Sequence, residues 1–156
     1  MINLTLEALI TLLKKHDYEP SIQEETQQVY TVLNVEKKDY PLFMRIFDEG
    51  HLLQLLVFIP CELKKEAVSD MARLLHLLNK ELDIPGFGMD EKAAVVFYRV
   101  MLPTPHKKID SELLLAYVKT VEHVCQMFAT PVEAVGFGHA TLDQILQKAE
   151  EINKTK

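Results

Sequence analysis

Residues 40–59 read YPLFMRIFDEGHLLQLLVFI, two apolar runs joined by a short turn that ends in glycine. Both runs are rich in branched and aromatic residues, the composition typical of β-strands. A similar run, Gln28–Val35, precedes them across the polar turn Glu36–Asp39. The stretches Gln28–Val35, Tyr40–Phe47 and Leu52–Ile59 therefore predict an antiparallel meander of three strands.

The sequence on either side of this meander has the three- and four-residue spacing of helices. A first helix is predicted to start at Asn3 or Thr5 and to end near His16, and the polar segment Asp17–Gln27 predicts a loop with one short extended piece. The elements predicted after the meander are a helix over Leu63–Leu82, a hairpin of Phe87–Met89 and Ala93–Leu102, a helix over Ser111–Phe128, a short helical turn from Thr130-Pro131 to Gly136, and a last helix opened by the capping box Thr141-Leu142-Asp143-Gln144.

The predicted order of elements is α-β-β-β-α-β-β-α, followed by a C-terminal helical extension. This order favours the α+β class, with a five-stranded, mainly antiparallel sheet and helices packed on it. We expect one chaperone-like domain over residues 1–132, extended by residues 133–156. The end of the chain, Asn153–Lys156, is expected to fray.

The predicted strands are apolar on both faces. In Tyr40–Phe47, for example, Phe43, Arg45 and Phe47 alternate with three apolar residues. An antiparallel sheet with one face in water would instead alternate apolar and polar residues. We therefore expect that a second subunit, a partner segment or the folded-back helix of Thr141–Ile152 covers the second face. The alternative is that the protein's own helices sandwich the sheet.

The residues expected to form a partner or dimer surface come from the strands, the second helix and the last helix. Arg45 and Arg99 lie mid-strand among apolar neighbours, so each either anchors an acidic group of a partner, or has an internal ion pair or a route to water. The apolar residues of the second helix fit a contact with the sheet or with a second subunit. The full set is Phe43, Arg45, Phe47, Phe58, Met71, Leu75, Leu78, Phe97, Arg99, Leu142, Ile145 and Leu146.

Composition and charge limit the class of partner and the compartment. With 17 basic and 23 acidic residues the net charge is −6, so nucleic acid is not an expected ligand. Leu4–Leu13 contains polar residues and does not resemble a signal peptide, and no uncharged apolar stretch of about 18 residues predicts a membrane span. Cys61 and Cys125 lie among apolar residues, as buried thiols in a reducing compartment do. We therefore expect a cytoplasmic protein.

No group of residues predicts a catalytic, cofactor or metal site. The six histidines include no i, i+4 pair, which argues against a helical zinc site. Glu122, His123 and Cys125 are close in sequence, but neighbouring residues of a helix point about 100° apart and do not form an activated nucleophile. Gly86-Phe87-Gly88 and Gly136-Phe137-Gly138 lack the strand–turn–helix context of a phosphate loop. We expect no cofactor and no enzymatic activity.

Several short motifs, taken in order, resemble those of one family. They are the helix exit His16-Asp17-Tyr18-Glu19, the helix end Leu77-Leu78-Asn79-Lys80-Glu81-Leu82, the step Pro85-Gly86-Phe87-Gly88-Met89-Asp90, the strand Val96-Phe97-Tyr98-Arg99-Val100-Met101-Leu102, and the run Val124-Cys125-Gln126-Met127-Phe128-Ala129-Thr130-Pro131. This pattern is similar to that of the YbjN-domain proteins, a bacterial group named for sensory transduction regulators. They share a fold with the class I type III secretion chaperones. The resemblance covers about residues 4–132.

The resemblance implies a non-enzymatic and often dimeric protein that binds other proteins. The secretion chaperones hold extended segments of exported proteins on apolar patches of the first helix and the sheet, and they dimerise largely through the second helix. Our first expectation is therefore a chaperone-like homodimer that binds a segment of another protein, such as a secreted effector or a regulatory partner. The second is a stress or sensory regulator that acts through protein contacts with no secretion client. The third is an enzyme of unknown chemistry.

Overall fold

A computed structural model describes residues 1–154 of the chain. Within these residues, four α-helices and eight strands are joined by loops and short 3₁₀ turns. In chain order they are β1 (Ile2–Asn3), α1 (Leu6–Lys15), β2 (Ser21–Gln23), β3 (Gln28–Val35), β4 (Lys38–Phe47), β5 (Leu52–Ile59), α2 (Val68–Glu81), β6 (Phe87–Asp90), β7 (Val95–Pro103), β8 (Lys108–Ile109), α3 (Ser111–Gly136) and α4 (Leu142–Lys154).

The main sheet of the described residues has six strands in the order β2-β3-β4-β5-β7-β6, and β1 pairs with β8 in a separate two-stranded sheet. The pairs β2–β3, β3–β4 and β4–β5 are antiparallel. The α+β class and the mainly antiparallel sheet are therefore confirmed, but the predicted count of five strands is too low. The added strand, β2, is the short extended piece within Asp17–Gln27, and its three exposed residues show no strand periodicity.

The chain divides into two compact units. Unit 1 consists of Met1–Phe58 and Tyr98–Gln126, and unit 2 consists of Ile59–Phe97 and the described residues from Met127 onward. Each unit is thus assembled from two stretches that are distant in sequence. The division into a domain over residues 1–132 and an extension over 133–156 stays a prediction, and its last two residues, 155–156, lie outside the described residues.

One face of the meander forms the core of unit 1. Away from the strand ends, the residues of this face on β3, β4 and β5 that belong to unit 1 are at most 2 % exposed, whereas Val35, Lys38 and Ile46 at the ends are half-buried or exposed. The register places Val29 opposite Met44, and Met44 opposite Leu55. α1 contributes the buried Leu9 and Leu13 and packs against β3. Since burial of one such side chain contributes about 1.5–3 kcal/mol, this face accounts for much of the driving force for folding of unit 1.

Both turns of the meander contain left-handed residues other than glycine. Glu36 and Lys37, with φ of 52° and 66°, connect β3 to β4. Asp48 and Glu49, with φ of 51° and 52°, precede Gly50 at 98° in the turn from β4 to β5, where the sequence predicts a left-handed glycine. This second turn is held from the end of β7. Thr104 donates its hydroxyl to the Gly50 carbonyl at 2.8 Å and its N–H to the carbonyl that follows, at 2.9 Å.

α3 continues without interruption to Gly136, so the predicted end near Phe128 and the separate helical turn at Thr130-Pro131 are wrong. Pro131 has no N–H to donate to the carbonyl of Met127. Beyond the proline, Val132 and Val135 are buried at 0 % and 1 % exposure, and burial of these side chains offsets the lost hydrogen bond.

α4 begins with the predicted capping box. The Gln144 N–H donates to the Thr141 hydroxyl at 3.2 Å, and the Gln144 side chain accepts from the Thr141 N–H at 2.9 Å. The Leu142 N–H donates to the carboxylate of Asp70 on α2 at 3.0 Å, which anchors the first turn within unit 2. The helix extends to Lys154, so Asn153 and Lys154 of the tail expected to fray are helical, and the rest of that tail, 155–156, lies outside the described residues.

Candidate functional site

The second face of the meander, on unit 1, is not buried by the described residues. Its side chains on β3, β4 and β5 are half-buried or exposed, and Val32 on β3 is 42 % exposed. This face, which we call the open face, consists of Gln28, Tyr30, Val32, Asn34, Asp39, Pro41, Phe43, Arg45, Phe47, Leu52, Gln54, Leu56 and Phe58. The alternative in which the protein's own helices bury both faces of the sheet is therefore wrong for the described residues.

An aromatic cluster lies at the centre of the open face. Phe43 is opposite Tyr30 on β3 and opposite Leu56 on β5. The rings of Tyr30 and Phe43 are 5.2 Å apart, and those of Phe43 and Phe58 are 5.9 Å apart in an edge-to-face arrangement. Ring contacts of this kind are favourable by about 0.5–1.5 kcal/mol each beyond area burial, so the three rings form one continuous apolar surface.

A polar row crosses the open face next to the aromatic cluster. Arg45 is opposite Gln28 on one side and Gln54 on the other. The Arg45 guanidinium lies 4.7 Å from the centre of the Phe47 ring, and its side chain is exposed. The ring orients the guanidinium without neutralising its charge, so Arg45 is available to a carboxylate from outside.

The other residues expected on a partner surface do not all join the open face. Arg99 is exposed on β7 in unit 1, whereas Phe97 is half-buried in unit 2. Met71, Leu75 and Leu142 are at most 4 % exposed and belong to the core of unit 2. Leu78 and Ile145 are half-buried, and Leu146 is 36 % exposed. The structure thus brings together Phe43, Arg45, Phe47 and Phe58.

A second cluster, not predicted from the sequence, lies where the chain leaves α1. The Tyr18 hydroxyl donates to the carboxylate of Glu122 on α3 at 2.5 Å, and Lys119 lies 3.4 Å from the same carboxylate. These residues border two clefts of about 330 and 360 Å³ that share Asn34 and Glu122. Tyr18 and Glu122 are 104 residues apart, so no local pattern could have paired them.

The protonation states of this cluster indicate a structural role. Burial, together with the hydrogen bond to Glu122, raises the pKa of Tyr18 above its usual value of 10.0. The hydrogen bond with Tyr18 is the largest of the effects that raise the pKa of Lys119. At neutral pH the phenol is therefore a neutral donor and the lysine is charged, and neither group is poised to exchange a proton.

The two thiols are also unsuited to chemistry. Burial raises the pKa of Cys125 to about 12, and Cys125 is 1 % exposed. Burial raises the pKa of Cys61 to about 11. Since the thiolate is the reactive form, neither is an activated nucleophile at neutral pH. Glu122, three residues before Cys125, forms its hydrogen bonds with Tyr18 and Lys119.

Metal-binding clusters and membrane-spanning helices are both absent from residues 1–154. No group of three or more histidine, cysteine or acidic side chains in this part of the chain could hold a metal ion. No helix in the same range is long and apolar enough to cross a bilayer.

Comparison with known families matches residues 5–134 to YbjN, described as "Putative bacterial sensory transduction regulator". The chain belongs to the YbjN family. A crystal structure of "YbjN, a putative transcription regulator from E. coli" has a similar fold, with a TM-score of 0.58 and 13 % sequence identity over 85 % of this chain and 89 % of that chain. A search of curated proteins found no match. The family resemblance read from the motifs is confirmed.

Four of the five motifs that pointed to the YbjN family supply residues that meet around the turn into β6. In unit 2, the Asn79 side chain accepts from the N–H groups of Gly86 and Phe87 at 3.1 and 2.9 Å, and it donates to the Phe87 carbonyl at 2.9 Å. The Phe87 ring meets Phe128 edge to face at 6.3 Å. A Cβ on Gly88 would lie 2.6 Å from the Phe97 ring, so only glycine fits there without a shift. These residues fix the turn into β6.

Proposed function

We propose that this YbjN-family chain is a non-enzymatic regulator that acts by binding proteins, with the open face as its docking surface. The observation that carries the proposal is the aromatic cluster of Tyr30, Phe43 and Phe58, left accessible beside the exposed Arg45. Aromatic residues and arginine are the side chains that contribute most to protein interfaces. A sheet also holds them in fixed positions, which reduces the entropy lost on binding.

Charge favours a protein partner over nucleic acid. The chain carries a net charge of −6, and the open face carries one cation, Arg45, and one anion, Asp39. Such a surface does not supply the row of cations that a phosphate backbone requires. A regulatory effect on transcription, as the relative's description suggests, would in this chain pass through contacts with another protein.

The finer form of the proposal is that the open face holds one segment of the partner, as a secretion chaperone does. An apolar cluster with one adjacent cation suits a short segment with apolar side chains and a carboxylate. The elevated pKa values of Cys61 and Cys125, about 11 and 12, fit a role without thiol chemistry. We place this role in the cytoplasm, where free thiols persist.

The test compares the unchanged protein with Phe43→Ser and with a matched control, Leu113→Ser. Leu113 is a 50 % exposed residue of α3 outside the open face. Proteins captured from the host extract by each variant are identified, and the main one is purified and titrated against all three proteins. We expect Phe43→Ser to raise the Kd at least tenfold, and Leu113→Ser to change it less than twofold.

Circular dichroism and thermal unfolding are used to check that both variants are folded before their binding is compared. Equal binding by Phe43→Ser and the unchanged protein would overturn the open face as the docking surface. Limited proteolysis of the bound partner tests the finer form. Protection of one contiguous segment is expected, whereas protection distributed over a folded partner would contradict the chaperone-like mode.

A further inference from the structure

α4 has an apolar stripe that its own unit does not bury. Leu142 is buried and anchors the first turn, but Leu146 is 36 % exposed and Ala149 is exposed. A helix of 13 residues gains little stability from its own hydrogen bonds, and most helices are stabilised by burial of their apolar face. The stripe formed by Ile145, Leu146 and Ala149 is therefore a surface that gains from a cover.

Carboxylates border this stripe on one side. Asp143 precedes Leu146 by three residues and Glu150 follows it by four, so both lie next to Leu146 on the helix surface. Glu151 points about 100° further round the helix, away from the stripe. The exposed part of α4 thus presents apolar side chains with an acidic margin.

The open face has the complementary arrangement. Its aromatic cluster adjoins the row that contains Arg45. Phe43 and Arg45 are two residues apart on one face of β4, a separation of about 7 Å. Leu146 and Glu150 are one helical turn apart, about 6 Å. An α4 helix laid along β4 can therefore place Leu146 on the aromatic cluster and Glu150 at the Arg45 guanidinium.

We propose that α4 of a second copy of this chain docks on the open face, and that the exchange is reciprocal. Two such contacts related by a two-fold axis form a closed homodimer. Each helix covers roughly 20 by 10 Å, so the two contacts together bury on the order of 800 Å² when both partners are counted, the size of a weak dimer interface rather than a tight one. This inference rests on the proposed function, because it names the resident occupant of the same face, which a protein partner must displace.

The test measures the dimer dissociation constant of the full chain by sedimentation equilibrium, with no partner present. Arg45→Glu and Glu150→Arg each place like charges in contact at both symmetry-related interfaces. We expect each to raise the Kd at least tenfold, and the double variant Arg45→Glu/Glu150→Arg to return it to within threefold of the original. Glu151→Arg, which makes the same charge change off the stripe, is expected to change the Kd less than threefold.

Leu146→Glu and its matched control Gln147→Glu test the apolar part of the contact. Leu146→Glu is expected to give a monomer, and Gln147→Glu a dimer. A monomeric unchanged protein at 100 µM (a concentration chosen as about a hundred times a micromolar Kd) would overturn the inference. So would a double variant without restored dimerisation, or a dimer that Leu146→Glu leaves intact.

The two proposals fail in different ways. If the open face binds a partner but the protein is a monomer, Phe43→Ser weakens partner binding as predicted while sedimentation shows no dimer. If the dimer forms through α4 but there is no partner, Arg45→Glu and Glu150→Arg each weaken the dimer and the double variant restores it, while titration shows no partner binding. If both are correct, Leu146→Glu frees the open face and binds the partner more tightly than the unchanged protein does.

Discussion

Replacing Asn79 with alanine tests whether one side chain fixes the turn that leads into β6. Asn79 makes three hydrogen bonds to the backbone of Gly86 and Phe87, at 2.9–3.1 Å. A hydrogen bond contributes about 0.5–1.5 kcal/mol net, and the cost rises where its loss leaves a partly buried group without a partner. The free energy of unfolding should therefore fall by about 3 kcal/mol, and the Tm by roughly 6–12 °C.

The assay for Asn79→Ala is equilibrium unfolding in urea, followed by fluorescence or circular dichroism. Lys80→Ala is the control, since Lys80 is exposed and its contact with Glu81 is a surface ion pair. Asn79→Asp keeps acceptors for the two N–H groups but cannot donate to the Phe87 carbonyl, so it should cost less than alanine. A loss below 1 kcal/mol for Asn79→Ala, or one equal to that of Lys80→Ala, would refute the reasoning.

Two further predictions concern buried groups of unit 1. The Thr31 hydroxyl is buried with no hydrogen-bond partner among the described residues, so Thr31→Val should stabilise the protein by about 1 kcal/mol in urea unfolding. Thr104→Val, which removes an equally buried but bonded hydroxyl, should destabilise it. Burial raises the pKa of Cys125 from 9.0 to about 12, so the thiol loses its proton in the unfolded state before it does in the folded state. The free energy of unfolding therefore falls as the pH rises from about 9 towards 12. By pH 10.5, ionisation of Cys125 in the unfolded state has lowered the free energy of unfolding by about 2 kcal/mol. Cys125→Ala should therefore flatten the fall in the free energy of unfolding measured from pH 8 upward. An unchanged fall would contradict this role of Cys125.

The meander was predictable because its signal is local. The runs that became β3, β4 and β5 contain enough branched and aromatic residues to indicate strands on their own. β1 and β8 have two residues each and exist only through the pairing of Ile2 with Ile109, which no short window of sequence contains. The helix through Pro131 was missed for a related reason, since burial of Val132 and Val135 outweighs the local preference of proline for a helix start.

The candidate site was partly predictable for the same reason. Alternation along β4 placed Phe43, Arg45 and Phe47 on a second apolar face without any tertiary information. Met71 and Leu75 were open to either interpretation, because helical periodicity identifies an apolar stripe but not what covers it. Their burial within unit 2 depends on elements far along the chain, as does the bond between Tyr18 and Glu122.

The left-handed turns of the meander bear on when this region can form as the chain emerges from the ribosome. Each non-glycine residue in that conformation costs roughly 1–2 kcal/mol, and an isolated hairpin is already marginal in water. The turn at Gly50 is held by Thr104, which lies 54 residues later. A nascent chain that has not yet reached Thr104 lacks this support, so synthesis must proceed well beyond the strands before they settle into their final pairing.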